Sequence, residues 1–325
     1  MQQTIALFGA GGKMGARLSK NLMGSPFAVR HVEPSASGRQ RLKDELGLET
    51  LSPEAALEGA EVVILAVPDT LIGKVSAQIS PLLKAGTMVI TLDAAAPFAG
   101  HLPERPDLVY FVTHPCHPTI FTPEVHTAPD YFGGSVAPQS IVNSLMQGPE
   151  SAYALGEAIA RTIYQPVVRS HRVTVEQMAL LEPGLSETVC ASLLDTMREA
   201  MDEVVSRGVP ADAARDFLLG HMTILSAVIF KQIPGQFSDA CNKAITFGKP
   251  RLLRDDWLKV FDRLREGIAD DGLLMLGAGE TVLGHTALFE SDPDNPEDKP
   301  DRPLKFQLST AKRINELVRA KLAGK

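Results

Sequence analysis

The strongest constraint on this chain is the turn Gly9-Ala10-Gly11-Gly12-Lys13-Met14-Gly15, which follows the apolar run Thr4–Phe8 and opens a helical stretch over residues 12–23. Glycine here permits unusual backbone angles, lets a ligand approach bare amides, and allows a helix to pack closely on a strand. The start of the helix adds further amides and a partial positive charge, an environment suited to phosphate. Strand, glycine turn and helix in this order open a βαβ unit that cradles a dinucleotide, so cofactor contacts are expected from Gly9, Gly11, Gly12, Lys13, Met14 and Gly15.

The rest of the first half repeats that alternation. Apolar, β-branched runs at residues 27–32, 62–67, 88–92, 108–113 and 141–145 alternate with helical stretches. Ser52 is placed to cap a helix that has Pro53 at its first position, and Asp69 to cap a helix running to Ile79. The pattern predicts an α/β Rossmann domain, with a doubly wound and mostly parallel sheet, over residues 1–165. After Tyr164 strand-like runs become rare, and Val189, Leu193, Met197, Met201 and Val205 recur every four residues. That stripe reads as buried core or subunit interface, and residues 166–325 as an all-α substrate and dimerisation domain of a homodimer. Breaks are expected at Gly208-Val209-Pro210, Pro234-Gly235 and Gly248-Lys249-Pro250, an exposed charged linker over residues 291–301, a turn at Gly277-Ala278-Gly279, and a last helix near residues 309–321.

Composition excludes some classes. A chain of 325 residues that is 44% hydrophobic has room for two cores. A net charge of −7 disfavours nucleic acid, which calls for a basic face. Cys116, Cys190 and Cys241 are odd in number and far apart, which suits reduced thiols in a cytoplasm. No apolar run approaches the length of a membrane span, and the first strand leaves no room for a signal peptide, so a soluble cytoplasmic protein is expected.

The glycine spacing departs from GxGxxG, because Met14 stands at the third glycine position and Gly15 follows. This variant is similar to the turns of prephenate dehydrogenases, dihydrodipicolinate reductases and β-hydroxyacid dehydrogenases. Glu33 lies at the end of the second strand, where a carboxylate accepts the ribose hydroxyls and repels a 2′-phosphate, favouring NAD over NADP. Ser35, Ser37 and Arg39 follow closely, as residues able to hold a phosphate instead. Val67, Pro68 and Asp69, after the third strand, are expected to line the ribose side.

The reacting end falls at His114-Pro115-Cys116-His117-Pro118, where a strand ends and open α/β sheets place their chemistry. An imidazole at His114 would accept a proton from a substrate alcohol as hydride leaves, or ligate a metal. Two prolines also suit a stapled structural loop, and Cys116 between two histidines hints at a soft metal. The segment from Ser170 to Glu187 holds His171, Arg172, Glu176, Glu182 and Glu187. Glu182 precedes a Pro-Gly break and so stands at a helix junction, while Glu176 and Glu187 would share a face were the helix continuous. Beyond the Pro234-Gly235 break, Asn242 and Lys243 are candidates to reach an active site, including that of a partner subunit; Arg172 and Lys243 would suit an acidic substrate.

The chain, over roughly residues 3–262, resembles the 6-phosphogluconate dehydrogenase-like oxidoreductases, in which a Rossmann domain precedes a helical dimer-forming domain. Within that group Leu92-Asp93-Ala94-Ala95-Ala96-Pro97-Phe98-Ala99-Gly100-His101, the His114 segment, and Leu180-Leu181-Glu182-Pro183-Gly184-Leu185-Ser186-Glu187-Thr188 look like segments of the D-apionate oxidoisomerase family. The resemblance implies NAD-dependent oxidation of the C2 hydroxyl of a branched sugar acid, then a hydroxymethyl shift from C3 to C2 that gives 3-oxo-isoapionate. Such a shift resembles ketol-acid reductoisomerase run backwards and gains from a divalent cation. Residues 176–180 faintly resemble the metal-binding helix of that enzyme, but the acidic ligand expected one turn earlier falls at Arg172. A single metal on His114 and Glu182 is therefore expected, with His114, Glu182 and Lys243 as catalytic residues. The catalytic lysine of 6-phosphogluconate dehydrogenase has no counterpart near Gly184. Two other readings remain: a simple β-hydroxyacid or prephenate-like dehydrogenase, and a non-catalytic NAD(H)-sensing regulator.

Overall fold

The structure, a computed structural model, describes residues 2–127 and 130–248. The expectations for residues 249–325, namely the charged linker, the Gly277 turn and the last helix, lie outside the described residues. The chain divides into two units, with the first running through Glu182 and the second starting at Pro183.

In the first unit, strands β1 (Thr4–Phe8), β2 (Ala28–Val32), β3 (Val62–Leu65), β4 (Met88–Thr91), β5 (Val109–Pro115), β6 (Gln139–Gln147) and β7 (Val167–Arg172) form one sheet in the order β2-β1-β3-β4-β5-β6-β7. All pairs are parallel except β5 with β6. The helices are α1 (Lys13–Leu22), α2 (Ala36–Leu46), α3 (Pro53–Leu57), α4 (Asp69–Ile79), α5 (Ala95–Phe98), α6 (Pro123–Thr127), α7 (Tyr153–Ile163) and α8 (Val175–Ala179). Ser52 caps α3 through the Ala55 amide, with Pro53 at the first position, as the sequence predicts. Asp69 is instead the first residue of α4 and Pro68 its cap; a carboxylate in a first turn still favours the helix dipole.

Alternation along the strands builds two cores. Ala6, Phe8, Val63, Leu65 and Val89 pack against Ala56, Ile72, Ile79 and Ala95 on one face. Ile5, Leu7, Val62, Ile64 and Ile90 meet Leu18, Leu22, Leu42, Ile159 and Ile163 on the other. Buried on both faces, β3 reads as the unbroken apolar run VVIL, and β4 as MVIT, apolar up to its last residue. The order reverses at β1, which sends the chain first to β2 and then back to β3, and ligands of such sheets bind in the crevice beyond the strand ends there.

The sheet holds one strand more than expected. The sequence reading drew its boundary at residue 165, yet β7 pairs with β6. Its VVRSHR sequence is charged or polar at four of six positions because β7 is an edge strand with no buried position. An apolar signal is lost there.

The second unit, within the described residues, is helical: α9 (Ser192–Ser206), α10 (Ala211–Ile229) and α11 (Asp239–Gly248). Helices α9 and α10 pack together, yet Phe217, Ile229 and Phe230 stay more than half exposed, and Leu193 of the four-residue stripe is exposed as well. Among the described residues no helix is long and apolar enough to cross a membrane.

Candidate active site

The glycine turn is forced by its neighbours. Gly9 has φ +73°, and a Cβ there would lie 2.2 Å from the Ala66 carbonyl oxygen. A Cβ on Gly15 would lie 1.9 Å from the Gly9 carbonyl oxygen. The turn is thus pressed against the end of β3, with the Val67 side chain 3.2 Å from the Cβ position on Gly9, and Pro68 and Asp69 follow as the cap and first residue of α4. Gly12 caps α1 without any side-chain hydrogen bond. Met14 packs into the core as a hydrophobic residue, which explains why a glycine is dispensable at that position.

Glu33 closes the other side. One carboxylate oxygen accepts the Gly11 amide at 2.8 Å, and the other accepts the Ser35 amide at 2.9 Å and the Ser35 hydroxyl at 2.7 Å. Ser35 also caps α2 through the Gly38 amide. Arg39 donates to the Glu33 and Pro34 carbonyls and Arg41 to the Gly11 carbonyl. Ser35 and Arg39, which the sequence offers as phosphate holders, are instead parts of the frame that holds Glu33.

At the end of β5, His114 sits three strands from β1 along the same edge of the sheet. Its Nδ1 donates to the Leu92 carbonyl at 2.7 Å, which leaves Nε2 for chemistry. That nitrogen meets a Glu182 carboxylate oxygen at very short range. Glu182 arrives there because the chain after α8 breaks: α8 packs Met178 and Ala179 against Val112, Val142 and Ala94, and Glu182 stands in extended geometry, φ −142° and ψ 124°. A residue before proline is driven from helical angles, so Pro183 sets this break. Asp93, just past β4, accepts the Ala95 amide at 2.6 Å and brings its other oxygen to 4.0 Å from His114 Nδ1.

The three groups shift one another. Burial opposes charge on His114, but Glu182 and then Asp93 outweigh it and raise its pKa to about 10. Burial and then Glu182 raise Asp93 to about 6, against the pull of His114 and the Ala95 amide. One ligand atom from each of Asp93, His114 and Glu182 lies within 4.8 Å of the others. Two carboxylate oxygens suit a divalent cation of the magnesium, manganese or calcium type, the one imidazole suits a transition ion, and a closed carboxylate pair gains from either. The residues fit such an ion.

Other expectations fare differently. Asp93 was quoted in the sequence only within a family-like segment; its place after β4, next in the sheet to β5, was the signal for it. Cys116 is no member of this cluster, so the soft-metal hint finds no support among the described residues. Arg172 pairs with Glu150 and stacks at 4.3 Å on the Tyr153 ring of α7, on the sheet face opposite His114. It is not placed for substrate. Glu176 is exposed on α8, and the break at Glu182 removes the continuous helix that would have aligned it with Glu187. Lys243 and Asn242 lie on one face of α11 with Asp239 and Thr246, in the second unit.

A dinucleotide turn at the switch point of a parallel sheet, with an imidazole and two carboxylates gathered at the ends of neighbouring strands, defines a Rossmann-fold oxidoreductase. A D-apionate oxidoisomerase of Cupriavidus necator is 71% identical over 265 residues, spanning 81% of this chain and 96% of that protein; one of Blautia hydrogenotrophica is 44% identical over 264 residues, spanning 79% and 92%. The chain belongs to the D-apionate oxidoisomerase family. Residues 4–95 match the family described as NADP oxidoreductase coenzyme F420-dependent, and residues 121–270 the family described as phosphogluconate dehydrogenase (decarboxylating) C-term. Among solved structures, a semialdehyde dehydrogenase NAD-binding protein of C. necator, in complex with calcium and NAD, is 69% identical, with TM-score 0.80 and coverage of 83% of this chain and 98% of that one. An NADH-preferring ketol-acid reductoisomerase from an uncultured archaeon shares the fold at 17% identity, with TM-score 0.66 and coverage of 97% and 94%.

Proposed function

We propose that this chain is an NAD-dependent oxidoisomerase of D-apionate, and that His114 and Glu182, supported by Asp93, carry the chemistry. The observation that carries this reading is the Asp93–His114–Glu182 cluster at the carboxyl ends of β4 and β5, on the same edge of the sheet as the glycine turn. The 71% identical relative of that activity supports the substrate.

The turn from Gly9 to Gly15 receives the pyrophosphate, with Lys13 and Met14 at the start of α1, while Val67, Pro68 and Asp69 flank the ribose. Glu33, already tied to Gly11 and Ser35, retains lone pairs for the ribose hydroxyls and repels a 2′-phosphate. NAD, when bound, supplies the hydride acceptor. The C2 hydroxyl proton passes to the Glu182 carboxylate and from there to water, and the C2 hydrogen leaves with its electron pair for NAD. In the second step the C3 hydroxyl gives its proton to the same carboxylate, and the bond from C3 to its hydroxymethyl group breaks. That group moves to C2 with the bonding pair, C3 becomes the ketone, and the proton goes to the former C2 carbonyl oxygen. The atoms balance with no further reactant. His114, Glu182 and Asp93 would hold one divalent cation, which would supply Lewis-acid polarisation to the substrate ketone. The Leu92 carbonyl fixes the ring so that Nε2 faces the substrate side.

The helical unit supports a homodimer, since its described residues leave Phe217, Ile229 and Phe230 exposed. Lys243 is then a candidate to act on the partner's site. Three free cysteines fit a cytoplasmic setting. A panel of sugar acids with NAD, followed by NADH absorbance with and without a chelator, tests the reading. Turnover of D-apionate that falls on chelation supports it, and an inert panel overturns it.

A further inference from the structure

A sugar acid carries a carboxylate, and the cation expected for it, Arg172, is turned to the wrong face. Three residues earlier the same strand holds a second arginine. Residues of β7 pair in register with β6 as Gln139 with Val167, then Ser140 with Arg169, Ile141 with Ser170, and Val142 with His171. Val168 is left over as a bulge, and it is exposed.

The bulge decides where Arg169 points. By simple alternation Arg169 would share the face of Val167 and Gln139, where Val167 packs against the α7 core and Gln139 donates to the Tyr164 carbonyl. One inserted residue reverses that, because paired residues share a face. Arg169 therefore lies with its partner Ser140, and Ser140 lies with Val142. His114 pairs with Val142 and so shares this face as well. The row is also at the correct end of the sheet. Antiparallel β6 starts where β5 finishes, and the Cys116 amide, two residues past His114, donates to the Ser140 carbonyl at 2.8 Å.

We infer that Arg169 is the residue that binds the carboxylate of the substrate and so sets the preference for an acid. This deepens the sugar-acid reading and rests on it. Arg169 is exposed, and among the described residues it enters no salt bridge and donates no hydrogen bond. Its guanidinium is thus available for a two-pronged contact with a carboxylate. Two strand spacings separate β5 from β7, about 10 Å of backbone. Arg169 and His114 thus stand on one face of the sheet, on the two strands that flank β6.

The test uses the enzyme–NADH complex, in which no hydride can be taken up, and reads D-apionate and its uncharged amide, D-apionamide, by NADH fluorescence. The wild type is expected to prefer the acid over the amide. Arg169→Ala should weaken D-apionate by roughly 10- to 100-fold, leave the amide and NADH unchanged, and erase the preference. Arg169→Lys, a point charge without the fork, should recover part of the loss. In turnover the loss should appear in KM for D-apionate far more than in kcat. Unchanged affinity in Arg169→Ala, or a wild type that binds acid and amide alike, would overturn the inference. Equal loss of acid and amide would also overturn it, as the mark of a structural role. If the wild type binds D-apionate through Arg169 but never reduces NAD, the oxidoisomerase reading fails and the anchor stands.

Discussion

Binding of a divalent cation should release a proton, and the count follows from the site. Without an ion, His114 faces Glu182 and Asp93, and its pKa stands near 10 rather than 6.5. The folded-state value is raised, so the imidazolium is held throughout the neutral range and is lost only as pH climbs through about 10. A cation needs the lone pair on Nε2. At pH 8 binding must therefore displace about one proton per ion, and the apparent affinity lies about 100-fold below its limit, gaining about tenfold per pH unit. Asp93, with a pKa near 6, adds to the count below that pH, rising toward about 1.5 protons at pH 6 for the coupled set. Calorimetric titration of the protein with magnesium or calcium, in buffers of different ionisation enthalpy, gives the proton number directly. His114→Gln should abolish the release at pH 8. An ion bound without proton release, or with an affinity flat from pH 7 to 9, would refute the assignment of His114 as a ligand.

Other outcomes follow from the same geometry. Gly15→Ala places a methyl group against the Gly9 carbonyl; it should cost about 1–3 kcal/mol and lower the melting temperature by several degrees, together with loss of NAD binding. Glu33→Ala frees the Gly11 amide and removes the barrier to a 2′-phosphate, so KM for NAD should rise about tenfold while NADP gains, read from the ratio of the two kcat/KM values. His114→Ala should lower kcat by about 10²–10⁴ with NADH binding intact in a fluorescence titration. Arg172→Ala should leave KM for D-apionate unchanged, because Arg172 is committed to Glu150 and Tyr153 on the far face.

The parts of the site that depend on local chain chemistry were legible in the sequence. The glycine turn announces itself because only glycine tolerates the contacts with Ala66 and Gly9. Glu33 follows from its distance along the βαβ unit, and Glu182 from the proline behind it. His114 was legible as the polar residue ending an apolar strand. Asp93 was harder, since its role comes from the neighbouring order of β4 and β5, which no local pattern displays. The choice between Arg169 and Arg172 was harder still. In an exposed edge strand no apolar alternation marks the faces, and a single bulged residue, Val168, exchanges them. Strand register is a property of the assembled sheet. For the same reason the boundary after residue 165 fell short of β7.

The central claim is tested most directly by the carbon skeleton of the product. Purified protein, NAD, a divalent cation and D-apionate should give one NADH for each substrate consumed, and NMR of the product should show the hydroxymethyl group moved from C3 to C2 with the ketone at C3. NADH formed with an unrearranged 2-keto acid would contradict the account in favour of a simple dehydrogenase, and no NADH from D-apionate would contradict it altogether.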